Sequence, residues 1–291
     1  MGEVVGAGLI SHVPTLMFNE EQRRALNEGR EISLVPGMHR LRSEVLDRLD
    51  ADTIVIFDTH WFSTVEHLIS SHERRWGRFT STELPRGMAG IPFDYPGDPE
   101  LAELAALMGN QLGTPTYATS DPYISLFYAT INLVHYLRRD ERIVSVSVCQ
   151  TGEPDDFLTL GAAMGAAVDR LDRRVVLLAS GGMSHAFWPL KQIPKHEASD
   201  PIHIITPEAR AADEDRIELM KQGRHRDIIE SMDDYMEHSP EGRFGHYLMM
   251  VGAVGGDECR ARGQLFSDYE NATGTGQVHI WFEKPAGGWT G

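Results

Sequence analysis

Cysteine is scarce in this chain: Cys149 and Cys259 are the only two among 291 residues, and neither belongs to a CxxC pair. That excludes a disulfide framework and a thiolate metal centre, and it fits a reducing compartment. Basic charge is also short, with 27 Lys and Arg against 43 Asp and Glu and a formal net charge of -16. A surface of that sign does not track phosphates or an anionic bilayer, so neither a nucleic-acid partner nor a membrane partner is expected. Missing too is any apolar run long enough to span a bilayer, and the start, Met1-Gly2-Glu3-Val4-Val5-Gly6, has no basic leader segment. A cytoplasmic protein is expected. No repeat, low-complexity tract or charge block divides the sequence, so one domain over 1–291 is expected.

What the chain does contain is 41% hydrophobic residues, enough for a substantial core, arranged in two alternating patterns. Short β-branched runs at 4–10, 53–57, 143–148, 175–179 and 278–282 read as buried strands. Stretches of helical period occupy 38–49, 99–112, 155–171, 206–222 and 243–254. Asp98-Pro99-Glu100 and Thr206-Pro207-Glu208 each place a capping side chain before a first-turn proline, which marks two helix starts. The segment 74–99 is rich in Pro, Gly and Asp without a clear period, and reads as a long surface excursion near a site. Alternating strand and helix give an α/β class. The expected architecture is a central mixed sheet flanked by helices, with the active site at the carboxyl ends of strands.

Thirteen histidines are present, and most need no special explanation. Three of them directly follow apolar strands, in Ile10-Ser11-His12, Phe57-Asp58-Thr59-His60 and Ser180-Gly181-Gly182-Met183-Ser184-His185. Ligand crevices of open α/β sheets lie at the carboxyl ends of strands, so these histidines are placed to converge. Two imidazoles and a carboxylate with open positions form the ligand set of non-haem Fe(II) oxygenases. Asp58, Glu237 and Glu241 are among the acids available as the third ligand, and periodicity does not choose between them.

These residues resemble the class III extradiol ring-cleavage dioxygenases, the LigB-type superfamily. Gly8-Leu9-Ile10-Ser11-His12-Val13-Pro14 and Phe57-Asp58-Thr59-His60-Trp61 are similar to its two histidine metal motifs. The Ser180 to His185 run is similar to the segment carrying its acid/base histidine. Pro240-Glu241-Gly242, followed by Met249-Met250-Val251-Gly252-Ala253, matches the place of its carboxylate ligand. The resemblance implies Fe(II) held by His12, His60 and Glu241, with His185 as acid/base. Thr80 to Pro85, Asp94 to Leu101 and Thr273 to Val278 are similar to the branch that includes 3,4-dihydroxyphenylacetate 2,3-dioxygenase.

One stretch departs from that branch. Where relatives carry Glu-Tyr-Gly-Thr or Asp-His-Gly, this chain has Ser120-Asp121-Pro122-Tyr123-Ile124-Ser125-Leu126-Phe127-Tyr128. The family uses this stretch to line the pocket opposite the acid/base histidine, so Tyr123 is the expected polar contact to substrate. The resemblance implies a catecholic substrate cleaved with O2 to a ring-opened semialdehyde, in a homo-oligomeric enzyme. Ring cleavage of an aminophenol or a dihydroxypyridine is the alternative chemistry. Two His and one Glu also suit a zinc hydrolase, although HExxH is absent. A binding protein of the same superfamily would tend to lack part of the ligand set, whereas all four residues are present here.

Overall fold

In the computed structural model, which describes residues 2–290, the apolar runs do form strands. In chain order the strands are β1 Glu3–Ile10, β2 Thr53–Ser63, β3 His67–Ser70, β4 Arg74–Phe79, β5 Ile91–Pro96, β6 Thr116–Thr119, β7 Arg142–Cys149, β8 Arg174–Ser180, β9 Gly263–Leu265, β10 Glu270–Ala272, β11 Thr275–Gln277 and β12 His279–Glu283. Eight of them make one mixed sheet in the order β6-β3-β7-β2-β8-β1-β12-β9. Its centre, β7-β2-β8-β1, is parallel throughout, while β3 pairs antiparallel with β7, and β12 with both β1 and β9.

The parallel strands are buried on both faces, which is why they read as continuous apolar runs instead of alternating ones. Leu9, Phe57, Val146 and Leu177 face one core layer, where helices Pro99–Gln111, Pro154–Arg170 and Gly245–Gly252 pack. Ile10, Ile56, Ile143 and Leu178 face the other, beneath helices Leu34–Arg40 and Tyr128–Leu137. The two capped helices start where the sequence marks them. Asp98 accepts the Leu101 N–H at 3.3 Å, and Thr206 accepts that of Ala209 at 3.1 Å.

Two expectations change. The helical stretch at 38–49 begins earlier, at Leu34, and then widens into a π-turn over Leu41–Val45 before a closing 3₁₀ turn. Arg42, buried in that π-turn, is held by Glu141, by the Leu137 carbonyl at 2.6 Å and by Asp47 at 2.7 Å. The segment 74–99 is no irregular excursion, because it holds the antiparallel β4–β5 hairpin. Arg75 and Gly77 occupy partly buried positions of β4, so the period-two apolar signal is missing from its sequence.

Among the described residues no helix is long and apolar enough to cross a membrane.

Glu270, on β10, is 5% exposed and accepts the Ser33 N–H at 2.7 Å, while its second oxygen has no partner among the described residues. Burial, with the Asp268 and Glu31 charges adding to it, pushes this carboxyl up to about 7 against the pull of the Ser33 N–H. The folded value lies above the ordinary 4.5, so the native state keeps a proton that the unfolded chain releases. Its stabilising contribution is complete below about pH 4.5 and is lost as pH rises through about 7, by roughly 3 kcal/mol. Glu270→Gln keeps an acceptor for Ser33 and cannot ionise. Urea unfolding of both proteins at about pH 5 and about pH 8 should show the variant gaining on the wild type at the higher pH; a gap that ignores pH would refute the assignment.

Candidate metal centre

The parallel centre of the sheet delivers the histidines. His12 follows the end of β1, where the Ser11 N–H donates to His279 Nδ1 at 3.1 Å and the Ser11 hydroxyl donates to Gln277 at 2.6 Å. His60 sits in an irregularity of β2: Asp58 pairs with Ser147 of β7, and the next paired residue is Phe62, opposite Val148. The strand therefore bulges over Thr59, His60 and Trp61. Buried Asp58 caps the bulge, accepting the His60 and Trp61 N–H groups at 2.9 and 3.0 Å and the Thr130 hydroxyl at 2.7 Å. This acid, one of the open choices for a metal ligand, is occupied with backbone support.

His185 follows β8 across the turn beginning Gly181-Gly182. A Cβ on Gly181 would lie 2.6 Å from His246 Nε2, and one on Gly182 would lie 2.7 Å from the Gly276 carbonyl, so only glycine permits this packing. Ser184 is fastened to buried Asp213, which accepts its N–H at 3.0 Å and its hydroxyl at 2.7 Å, together with the hydroxyls of Tyr235 and Tyr269.

Glu241 comes from a distant part of the chain and is zipped onto that turn. Ser184 and Pro240 form an antiparallel bridge, the Glu241 N–H donates to the Met183 carbonyl at 2.9 Å, and the His185 N–H donates to the Ser239 carbonyl at 3.0 Å. Gly242, Arg243 and Phe244 then make a left-handed turn, with φ of 53, 57 and 59°. Such a conformation is unfavourable for the two residues that carry a Cβ. Tertiary contacts hold it in place: Phe244 is fully buried and stacks on Tyr247 at 4.7 Å, and Arg243 donates to the Gly152 carbonyl at 3.0 Å.

His12, His60 and Glu241 thereby bring one ligand atom each within 4.8 Å of one another. His12 Nε2 lies 3.2 Å and His60 Nε2 3.6 Å from the same oxygen, Glu241 Oε1. Two donors bound at right angles to one metal at about 2.1 Å lie about 3 Å apart, which these spacings fit. The proton inventory fits as well. Ser180 Oγ donates to the Ala129 carbonyl at 2.9 Å, so the 2.9 Å contact with His12 is a bond from His12 Nδ1–H, and Nε2 is left with a lone pair. His60 Nδ1 faces Glu83 Oε1 at 3.2 Å, which turns Nε2 toward Glu241 and the Tyr128 hydroxyl. A metal ion between these atoms would satisfy all three, and the outer carboxylate and hydroxyl are the supports that metal-binding histidines use.

Burial pushes the Glu241 carboxyl up, but His185, His12 and His60 pull it further the other way and hold it well below its ordinary value. Its Oε2 accepts the Gly182 N–H at 2.5 Å, and its Oε1 accepts the Thr59 hydroxyl. Burial lowers His60, yet the Glu83 hydrogen bond and the charges of Glu241 and Asp58 outweigh it and leave the ring raised. His185 approaches the opposite oxygen, with Nε2 3.6 Å from Glu241 Oε2, and burial holds it below its usual value against the Glu241 charge. It stands beside the three-residue cluster without sharing Oε1.

Tyr123 is 93% exposed and does not line the cavity beside His60. The aromatic that reaches the cluster from this stretch is Tyr128, whose hydroxyl lies 2.6 Å from His60 Nε2 and 3.2 Å from Glu83 Oε2. Burial and the Glu83 and Glu241 charges raise its hydroxyl far above the ordinary value, so it remains a proton donor. Sequence reading marked the segments that hold Tyr128 and Glu83, the 120–128 stretch and Thr80 to Pro85, without giving either residue a role, since the first opens a helix as an ordinary aromatic and the second lies in the loop of an unforeseen hairpin. Thr59, Ser180 and Gly182 had a usable signal in adjoining the histidine motifs. The cavity beside His60 measures about 430 Å3. A wider cleft of about 790 Å3, lined by Asp52 and Arg142 among others, lies at the amino ends of β2 and β7, away from the histidines.

A family model described as the catalytic LigB subunit of aromatic ring-opening dioxygenase matches residues 6–283. The chain belongs to the LigB family. It is an extradiol ring-cleavage dioxygenase, an oxidoreductase of a metal-dependent family. Over 263 residues the LigB chain is 29% identical to 3,4-dihydroxyphenylacetate 2,3-dioxygenase of Escherichia coli, covering 89% of this chain and 92% of that protein. It is 27% identical to the 2-aminophenol 1,6-dioxygenase beta subunit of a Pseudomonas species, over 87% of this chain and 86% of that one. A crystal structure of an uncharacterized Escherichia coli K12 protein superposes with a TM-score of 0.59 at 18% identity, covering 95% and 99% of the two chains, and shares the fold.

Since Asp58 alone caps the bulge that carries His60, Asp58→Ala should strand buried donors and loosen that ligand. The expected loss is about 2–4 kcal/mol of stability and about 10- to 100-fold in metal affinity, read by competition with a chromophoric chelator. Asp58→Asn, which still offers an acceptor, should retain most of both. Wild-type affinity in the alanine variant would show that the bulge does not depend on this cap.

Proposed function

We propose that this LigB-family enzyme uses Fe(II), held by His12, His60 and Glu241, to cleave a 3,4-dihydroxyphenylacetate-like or related catechol with O2 to a ring-opened semialdehyde. The observation that carries the reading is the convergence of two imidazole nitrogens on one carboxylate oxygen at the carboxyl ends of the parallel strands. When bound, Fe(II) supplies positions for both substrate oxygens and for O2, and a path for electrons between them. The 29% identity to 3,4-dihydroxyphenylacetate 2,3-dioxygenase over 92% of its length supports a dioxygenase acting on a catechol over the zinc-hydrolase alternative.

The side chains around the cluster divide the remaining work. His185, below its ordinary pKa, has a neutral Nε2 that accepts a proton from a substrate hydroxyl and returns it to oxygen as the ring opens. Tyr128 keeps its proton and orients the substrate from the opposite side, the polar role expected of Tyr123. Thr59 and Gly182 N–H fix both oxygens of Glu241, so the ligand does not swing when substrate enters.

A second reading is ring cleavage of an aminophenol, which the 27% identity to the aminophenol dioxygenase subunit supports. Both cysteines are free and buried, in keeping with a reducing cytoplasm. The name of the aminophenol relative, a beta subunit, supports an oligomeric enzyme.

Iron analysis after anaerobic reconstitution should find one Fe(II) per chain, and both His12→Ala and Glu241→Ala should lose it. Full occupancy in either variant would remove that residue from the ligand set. His185→Phe should keep iron and substrate binding while turnover falls by about 10²- to 10⁴-fold, the range of general acid/base groups. Iron loss in that variant would make His185 a ligand, and an unchanged rate would leave it no part in proton transfer.

A further inference from the structure

We infer that the cavity beside His60 takes an aromatic substrate bearing an anionic substituent, and that Arg75 binds its carboxylate. The inference rests on the ring-opening reading for the position of the diol. At about 430 Å3 the cavity is within the range of small-molecule sites. His60 and Tyr128 form its end toward the metal cluster, and Phe62, Phe79 and Phe93 line it with apolar faces suited to a flat ring. The same cavity is lined by Arg75 and Arg78 of β4.

Two cationic groups thus line one cavity beside a ring-shaped apolar surface. Their neighbour Arg74 points away and pairs its guanidinium with Asp94 at 2.7 and 2.5 Å. Arg75 donates instead to a backbone carbonyl, that of Ile124, at 2.5 Å, and Arg78 to that of Gly90 at 2.9 Å. Neither makes an ion pair among the described residues. A guanidinium has five N–H donors in a fork that matches a carboxylate, so most of the Arg75 donors remain available. Arg75 is also partly withdrawn from water, and this burial weakens its charged form. An incoming anion would relieve that cost, which an exposed arginine does not bear.

Glu83 sets the orientation. It lines the same cavity, and it is engaged by His60 Nδ1 at 3.2 Å and by the Tyr128 hydroxyl at 3.2 Å. Its negative charge stands at the His60 end, where it repels a substrate carboxylate and favours the end that carries the arginines. The diol then faces the metal ligands and the carboxylate faces β4. One hairpin supplies both the support for His60 and the residue that reads the substrate's charge.

The test compares 3,4-dihydroxyphenylacetate with its methyl ester and with 4-methylcatechol on the iron-loaded protein, using kcat/KM for ring opening and, under anaerobic conditions, the dissociation constant. Wild type should prefer the acid to the ester by on the order of 10- to 100-fold in both, as a charge-assisted bond would give. Arg75→Gln should erase most of that preference while changing the ester's constants little, and Arg75→Lys should restore part of it. Equal handling of acid and ester by the wild type overturns the inference. So does a parallel loss on all three compounds in Arg75→Gln, which would mark packing damage around Ile124. Ring opening without charge preference leaves the proposed function standing and removes the subsite. Charge-selective binding through Arg75 with no ring opening does the reverse.

Discussion

The carboxylate of Glu241 is buried among three imidazoles, and the rest of the centre is arranged to keep it ionised and in place. Burial alone would favour its neutral form. The nearby histidines outweigh that, two at Oε1 and one at Oε2, and the Gly182 N–H and the Thr59 hydroxyl add donors to the charged state. A charge in such surroundings tolerates little displacement. This explains why the segment carrying it is fastened so heavily: a β-bridge to the turn after β8, a left-handed turn braced by Phe244, and Asp213 holding Ser184 from behind.

The two histidine ligands are secured by different means. His12 is locked from within, through Ser180 at the end of β8 and the Ala129 carbonyl of helix Tyr128–Leu137. His60 takes its backbone support from Asp58 and its ring support from Glu83, a residue whose side chain is 57% exposed on a hairpin loop. One half of the site is therefore supported from within the core, and the other from the hairpin that also borders the cavity. Loops carrying function over a fixed scaffold are the usual arrangement in α/β proteins.

Tyr128 and Tyr123 show how far a shared motif position can mislead. The stretch from Ser120 to Tyr128 departs from the family pattern, and the tyrosine nearest the expected place is turned to solvent. Five residues later the chain enters helix Tyr128–Leu137, and the first side chain of that helix meets His60. A polar group is thus presented to His60 from this stretch, by a helix start and not by the exposed tyrosine.

The sequence by itself determined the α/β class, five strands of the main sheet and the placement of His12 and His185 after strands, because buried parallel strands are continuous apolar runs and short local signals suffice to find them. His60, expected just past a strand, lies in a bulge inside β2, whose pairing resumes beyond the apolar run. The sequence also showed the two capped helices at Pro99 and Pro207. Only the family resemblance singled out Glu241, since no periodicity links it to histidines more than fifty residues away in the chain. Tertiary structure alone decided the β4–β5 hairpin, where Arg75 and Gly77 break the apolar alternation, and the meeting of Glu83, Tyr128 and Arg75 around His60. Those contacts join segments whose local sequences are ordinary. Their chemistry arises from charge and hydrogen bonding across space, which the order of residues along the chain does not display.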